Sequence, residues 1–509
     1  PPAVCQILAQ RRVEVAEVEN YLSPALRDLM PDPRSLRDME KAASRVLQAL
    51  GNRERIAIFA DYDVDGGSSA ALLISWLRQM QHSATLYIPD RIDEGYGPND
   101  TAMKTLARDH DLIICVDCGT LSHGPIAAAA GADVVVLDHH LAGETLPPAL
   151  AVVNPNRQDE DGHAAHLCAA AVVFLLLVEM RRQLREAGKS SPDLVAMLDL
   201  VALATVADVA PLTGVNRAFV RQGLKVMARR ERAGVTALAD AAGLDAAPSA
   251  YHLGYVLGPR VNAGGRIGAA DLGARLLATD DPHEAAALAE KLEHLNRERR
   301  DVEAAVRAVA LDQAETRGLD APLAWAAGPG WHPGVVGIVA SRLKEVSNRP
   351  SVVIGIENGI GKGSGRSVSG IDLGQPIQRL VSEGLLIKGG GHKMAAGLTV
   401  AEDKIEPAMA RLGTLLAQQG AGALGVADLR IDGVLMPMAA QVELIEQIEQ
   451  AGPFGASSPA PRFAFAEMSI RHTRRVGESH LKIGFGNEAG HLEAIAFNAF
   501  STDLGPALE

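Results

Sequence analysis

From Arg55 to about residue 140 the chain alternates short, largely apolar runs with longer mixed segments. The runs at 56–59, 84–88, 112–116 and 133–137 have strand length and no polar face, and helical or loop-like segments separate them. Strands buried on both faces and joined by helices predict βαβ units and a parallel sheet. The first run, Ile56-Ala57-Ile58-Phe59-Ala60, breaks into Asp61, Asp63 and Asp65, then Gly66-Gly67-Ser68-Ser69, then a helix-like stretch at 71–77. The acids therefore stand at the carboxyl end of a strand, outside which open α/β sheets bind their ligands.

The rest of the chain divides by the same patterning. Residues 1–50 read as a helical lead-in arm with proline-rich turns, and the apolar run 167–178 as a buried helix, too short to span a bilayer. A second apolar helix at 198–212 carries Asp208 near its end. Residues 271–316 are helical in pattern with charges of mixed sign, which suits a solvated connecting helix. A second α/β lobe is expected from about Pro322. After about Ala423 the pattern changes to short strands at 428–435, 462–470, 481–485 and 492–497, with a helix at 440–450.

Composition narrows the class. The chain has 509 residues, enough for about three domains at roughly 150 residues each, and is 47% hydrophobic but only 4% aromatic, which favours α/β over an all-β sandwich. A net charge of −13 argues against general adhesion to nucleic acid, although a local basic groove survives an acidic total. The start of the chain, Pro1-Pro2-Ala3-Val4-Cys5, has neither an initiating Met nor a signal-peptide pattern, so a trimmed, cytoplasmic chain is expected. Four cysteines are too few for a disulfide framework; Cys115-x-x-Cys118 has no second pair and sits in a strand-like setting, which points to core rather than zinc.

The chemistry concentrates at strand ends. The run 112–116 ends at Asp117, followed by Cys118-Gly119-Thr120, and 133–137 ends at Asp138-His139-His140. A His-His pair alone is usually surface or core, but here it joins acids placed alike on three strands. Clustered carboxylates repel one another and are costly to bury without a cation. Oxygen and imidazole ligands without thiolate suit Mn²⁺ or Mg²⁺ better than Zn²⁺. Two glycine-rich stretches, 359–367 and 388–393, set backbone N–H groups beside Arg366 and His392, as an anion site requires, though each could be an ordinary turn. Neither has the Walker A order, so ATP use is not indicated. Arg471, His472, Arg474 and Arg475 form a basic cluster that reads equally as a phosphate track or a solvated strand edge.

Taken in order, Asp61-Tyr62-Asp63-Val64-Asp65-Gly66, Val116-Asp117-Cys118-Gly119-Thr120, Asp138-His139-His140 and Val206-Ala207-Asp208 resemble the four motifs of the DHH phosphoesterase superfamily. Further stretches, Gly258-Pro259-Arg260-Val261-Asn262-Ala263-Gly264-Gly265-Arg266, Trp331-His332-Pro333-Gly334, Gly363-Ser364-Gly365-Arg366-Ser367 and Gly389-Gly390-Gly391-His392, resemble its RecJ-type branch of single-strand-specific exonucleases. The resemblance covers nearly the whole chain. It implies an α/β protein: a parallel-sheet DHH lobe, a long connecting helix, a second, smaller α/β lobe and an OB-fold-like β module.

The expected boundaries are an arm at 1–50, a catalytic domain at 51–270, the helix at 271–320, a substrate-binding domain at 321–422 and the β module at 423–509. The last strands expected of such a barrel are missing at Glu509, so either the chain is cut there or the barrel is incomplete. The resemblance further implies two ions, Mn²⁺ or Mg²⁺, with Asp63, Asp65, Asp117, Asp138, His139 and Asp208 as ligands. Asp61 and His140 take catalytic roles, His140 facing the substrate phosphate. Arg260, Asn262, Arg266, His332, Arg366, Ser367, Gly390, Gly391 and His392 would bind substrate. The implied activity is 5′-to-3′ hydrolysis of single-stranded DNA to mononucleotides in repair and recombination, by a monomer with no membrane attachment whose partners are the strand, a single-strand-binding protein and a helicase. Two rivals stand beside it: a DHH phosphodiesterase on short oligoribonucleotides or cyclic dinucleotides, and a non-catalytic scaffold of the same fold.

Overall fold

A computed structural model describes residues 2–90, 94–423, 429–488 and 490–509. The chain forms two compact units, one of residues 31–210 and 222–427, the other of 1–30, 211–221 and 428–509. Among the described residues no helix is long and apolar enough to cross a membrane.

In the larger unit, β1 (Ile56–Ala60), β2 (Ala84–Tyr87), β3 (Leu112–Val116), β4 (Asp133–Leu137) and β5 (Ala151–Val153) make a parallel sheet in the order β2-β1-β3-β4-β5. Every residue of β1 and β3 is buried, as uniformly apolar strands covered on both faces should be. Helix Val64–Gln79 follows β1 directly and packs against helices Ala169–Glu186 and Leu198–Ala207. Register then decides the site. Ala60 lies opposite Val116, and Val116 opposite Leu137, so the next residues, Asp61, Asp117 and Asp138, emerge side by side from three adjacent strands.

The second sheet of this unit contains β6 (Ala324–Pro329), β7 (Ser351–Glu357), β8 (Ile360–Arg366), β9 (Lys388–Gly391) and β10 (Ala395–Ala401), in the order β6-β7-β8-β10-β9. The two lobes share the 36-residue helix Pro282–Arg317, about 54 Å long at 1.5 Å per residue. It begins later than expected because Leu272–Ala278 is a helix of its own, and Asp281 then caps the new helix by accepting from His283 N, with Pro282 at its first position. The lobes also meet directly. A Cβ on Gly334 would lie 2.3 Å from the carbonyl oxygen of Arg266, so only glycine lets helices Gly258–Ile267 and Pro333–Ser347 approach this closely.

The smaller unit holds β11 (Gly433–Val434) paired with β12 (Phe463–Ala464), and an antiparallel sheet of β13 (Ser469–Val476), β14 (His480–Asn487) and β15 (Gly490–Ala496). The expected strand at 428–435 is reduced to β11, its start at Asp428 lying outside the described residues, and 462–470 is divided between β12 and β13. The expected N-terminal arm is also divided. Helix Met39–Asn52 packs on Ala169–Glu186 in the larger unit. Helix Pro2–Gln10 instead joins the C-terminal module, where Gln6 and Gln10 Nε2 donate to the Asp432 carbonyl at 3.0 and 2.6 Å. Arg217 locks this unit from inside: its Nη2 donates to the carbonyls of Tyr21, Ala451 and Gly452, and its guanidinium stacks 3.9 Å over the Tyr21 ring.

Candidate active site

Asp61 directly follows β1, and a Cβ on Gly66 would run into the Asp61 carbonyl oxygen, so glycine is what lets the strand turn into the helix here. Asp63 caps that helix, its Oδ1 accepting from the N–H groups of Asp65 and Gly66 at 2.8 and 3.1 Å. Asp65, in the first turn, accepts from Ala169 N and Ala170 N at 2.7 and 2.8 Å, at the N-terminus of the Ala169–Glu186 helix. Asp117 holds a left-handed backbone at φ 58°, rare outside glycine and a form of strain that functional sites carry.

His139 is the hub. Its Nε2 is 3.3 Å from Asp117 Oδ1 and 3.7 Å from Asp65 Oδ2, and its Nδ1 is 3.8 Å from Asp208 Oδ2. Asp208 closes the Leu198–Ala207 helix at its C-terminal end, where the helix dipole disfavours an anion.

Without a cation the cluster is electrostatically uncomfortable. Burial, then the charges of Asp65 and Asp63, push the Asp208 carboxyl up to about 8. Burial followed by repulsion from Asp65, Asp63 and Asp61 raises Asp117 well above its ordinary value, and burial also raises Asp65. Asp117 Oδ1 is buried with no hydrogen-bond partner. Three groups each bring ligand atoms within 4.8 Å of one another: Asp61, Asp63 and Asp117; Asp65, His139 and Asp208; and Asp117, His139 and His140. Carboxylate oxygens and imidazole nitrogens with no thiolate fit a hard divalent metal, and Asp117 and His139 each belong to two groups, as adjacent centres would require. Cys115 and Cys118 are buried, burial raising both thiols and Cys115 to about 12, so they are core side chains.

Asp138, expected among the ligands, belongs to none of the three groups. Its Oδ1 accepts from the N–H groups of His139 and His140 and from His140 Nδ1 at 2.8 Å, and its Oδ2 from Thr120 N at 3.0 Å. Burial alone would raise this carboxyl, but the His140 hydrogen bond and charge hold it far below the ordinary value. Burial likewise opposes the charged form of His140, yet the same Asp138 contact raises the imidazole to about 9. With Nδ1 given to Asp138, His140 presents Nε2, 3.3 Å from the Tyr96 hydroxyl. Tyr96 itself is raised by burial and then by Asp61 and Asp117, so it remains a neutral phenol.

The substrate-side residues are dispersed in role. Asn262 Oδ1 accepts from Val64 N at 3.0 Å, and His332 Nδ1 from Gly334 N at 3.0 Å, so both are helix caps. Arg260 is paired with Glu293 and donates to the Val256 carbonyl; Arg266 donates to the Gly334 carbonyl. Ser367, expected to face substrate, is instead 1% exposed and donates to the Ile371 carbonyl. Arg366 Nη1 donates to Ser364 Oγ at 3.1 Å and to the Gly365 carbonyl at 2.9 Å. Gly390 and Gly391 lie on β9, and His392 follows, exposed, accepting from Met394 N. In the smaller unit, Arg475 pairs with Glu509 and His472 lies 3.2 Å from Glu493, so two members of the basic cluster are engaged by acids.

Sequence reasoning missed Asn154 and Asn156. They follow β5, only three residues long, and their side-chain amides donate to the carbonyls of His140 and His139, fixing the loop that carries both imidazoles. The signal was present as Val153-Asn154-Pro155-Asn156, one more apolar run broken by polar residues at its carboxyl end.

Comparison with known proteins accounts for this arrangement. Residues 55–205 match the DHH family, N-terminal domain; 320–418 the DHHA1 domain; and 431–506 the RecJ OB domain. The chain is 38% identical to the single-stranded-DNA-specific exonuclease RecJ of Dickeya dadantii over 98% of its own length and 89% of that protein. It is 36% identical to the RecJ of Escherichia coli over 99% and 90%. The crystal structure of RecJ from Thermus thermophilus in complex with Mn²⁺ superposes with a TM-score of 0.82 at 31% identity, covering 97% of this chain and 70% of that one. A Mg²⁺ complex from the same organism matches at 0.73. With identity sustained across three successive domains and a strand-end cluster fit for divalent metal, the chain belongs to the RecJ family of DHH-domain proteins.

Proposed function

We propose that this chain hydrolyses single-stranded DNA from its 5′ end, releasing mononucleotides, in DNA repair and recombination. The observation that carries the reading is the set of carboxylates and imidazole gathered at three adjacent strand ends and Asp208, complete in every motif. Asp61, Asp63, Asp65, Asp117, His139 and Asp208 would hold two divalent ions, Mn²⁺ or Mg²⁺. When bound, such ions would supply a water of lowered pKa and charge neutralisation at the departing oxygen.

The protein's own groups do the rest. Asp138 orients His139 and His140 through the loop N–H groups, and its hydrogen bond to His140 Nδ1 favours the charged form of that imidazole. The Nε2–H of His140 then points a positive charge at the substrate phosphate. Arg366 and His392 of the second lobe grip the strand within the same unit. The reading extends to a cytoplasmic monomer that works beside a single-strand-binding protein and a helicase.

The test supplies Mn²⁺ and offers end-labelled single-stranded DNA, a dinucleotide and a cyclic dinucleotide in parallel. Progressive loss of the 5′ label from the single strand is expected. Cleavage confined to the dinucleotide or cyclic dinucleotide would replace this reading with its small-substrate rival.

A further inference from the structure

Within and beside the glycine-rich stretches, the second lobe exposes a face of its sheet with a charge pattern the fold does not explain. On β10, Thr399 lies opposite Lys388 of β9 on one side and Lys362 of β8 on the other. The next row on the same face is Gly390, Gly397 and Ser364. These six residues line one cavity of about 460 Å³. The reverse face is core: a Cβ on Gly363 would meet Ile354 and Leu398, and one on Gly389 would meet Ile377.

Among the described residues neither lysine side chain has a hydrogen bond or ion pair. Two cations therefore flank one threonine across three strands, with no acid between them, in a protein of net charge −13. Like charges gathered on one sheet face are unfavourable. The floor beside them is bare, since Cβ atoms on Gly390 and Gly397 would meet nothing within 4 Å. Side chains would fit there and favour the strand, so the glycines leave room for something that approaches the backbone.

We infer that Lys362, Thr399 and Lys388 form a phosphate subsite for the bound single strand, with Gly390 and Gly397 as the floor over which the strand passes. The subsite adds a contact to the nucleic-acid reading above and rests on it. The two rows are about 6.8 Å apart, two residues of an antiparallel strand. Lys362, Ser364 and Arg366 alternate along β8, so the groove continues directly from the Arg366 grip. The lysines give charge without base recognition, as a sequence-tolerant nuclease requires.

Fluorescence anisotropy on a labelled single strand tests the assignment, using the full chain in Ca²⁺, with a gel confirming that the strand stays intact. An unlabelled deoxynucleoside monophosphate serves as competitor. Lys362→Ala and Lys388→Ala should each weaken strand binding about tenfold. The double variant should flatten the salt dependence by about 1.4 log units per log unit of salt, two single-strand phosphate contacts. Competition by the monophosphate should be unchanged, and Lys→Arg at both positions should restore the strand affinity. Unchanged affinity and salt slope in the double variant would overturn the subsite. So would an equal loss of monophosphate affinity, which would make the cavity a product site. Failure of the wild-type protein to bind a single strand would instead refute the nucleic-acid reading.

Discussion

Replacing Asp138 with Asn separates an orienting carboxylate from a metal ligand. Asn keeps the shape, and its Oδ1 can still accept from the loop N–H groups of His139 and His140, but its amide then turns an N–H toward Thr120 N, which lies 3.0 Å from the present oxygen. One buried donor loses its acceptor, a loss of about 1–3 kcal/mol. The larger effect falls on His140, whose value of about 9 depends on the Asp138 hydrogen bond and charge while burial works against it. Without that partner only the weaker pull of Asp208 and Asp61 opposes burial, and the imidazole should titrate lower, toward its ordinary value of about 6.5. The sign follows: wild-type His140 is charged at every pH below about 9, whereas in the variant the charge is lost from about pH 6.5 upward. At pH 8 the charged fraction falls from about 0.9 to about 0.03, so kcat/KM should drop roughly 30-fold there and little at pH 6 by this route. The loop N–H bonds from His139 and His140 survive in the Asn variant, so the Mn²⁺ requirement should change little. The assay is kcat/KM on end-labelled single-stranded DNA from pH 6 to 9, with a Mn²⁺ titration at each end. An alkaline limb that does not move refutes the role assigned to the Asp138–His140 pair. A Mn²⁺ requirement raised as far as in Asp65→Asn would show that Asp138 is a ligand after all.

His139→Ala should abolish hydrolysis while leaving the far-ultraviolet circular dichroism intact, and EDTA should stop the wild-type reaction until Mn²⁺ or Mg²⁺ is restored; recovery with zinc alone would contradict the hard-metal reading. Metal-free protein should lose stability as pH rises, because Asp208 is near 3.8 unfolded and about 8 folded. The penalty on its charged form is absent below about pH 4 and complete above about pH 8, on the order of a few kcal/mol. Melting curves with and without Mn²⁺ should diverge over that range, and Asp208→Asn should flatten the metal-free trend; a trend unaltered by Asn would place its origin elsewhere. Arg366→Ala should weaken single-strand binding roughly 10- to 100-fold and flatten the salt slope by about 0.7, whereas Asp65→Ala should stop cleavage with binding retained; anisotropy over a salt series distinguishes them.

Much of the architecture was legible in order along the chain because its signals are local. An apolar run of strand length broken by an acid marks a strand end wherever it occurs, and β1, β3 and β4 follow that rule at Asp61, Asp117 and Asp138. The long helix was legible for the same reason, although its start at Pro282 depended on a cap that periodicity does not register. The DHH motifs, in their order, were enough to indicate the family and the metal chemistry.

What the chain order could not reveal is which partner each polar group chooses. Asp138 and Asp117 look alike in sequence, each an acid after a buried strand, yet one is surrounded by N–H donors and the other has a buried oxygen without a hydrogen-bond partner. Asn154 and Asn156 matter because β5 runs beside β4, a neighbour relation set by sheet order. Ser367 carries the same hydroxyl as Ser364, but their side chains point to opposite ends of that difference: one is buried against the Ile371 carbonyl, the other lines the cavity beside Lys362. Residues 1–30 pack with a module more than 400 positions away, because Val4, Ile7 and Leu8 need an apolar surface and only the folded chain supplies one. Strand ends and helix faces are properties of a few consecutive residues, whereas hydrogen-bond partners, lattice-like strand registers and the burial of a carboxylate are properties of distant segments brought together, and those were decided by the tertiary structure alone.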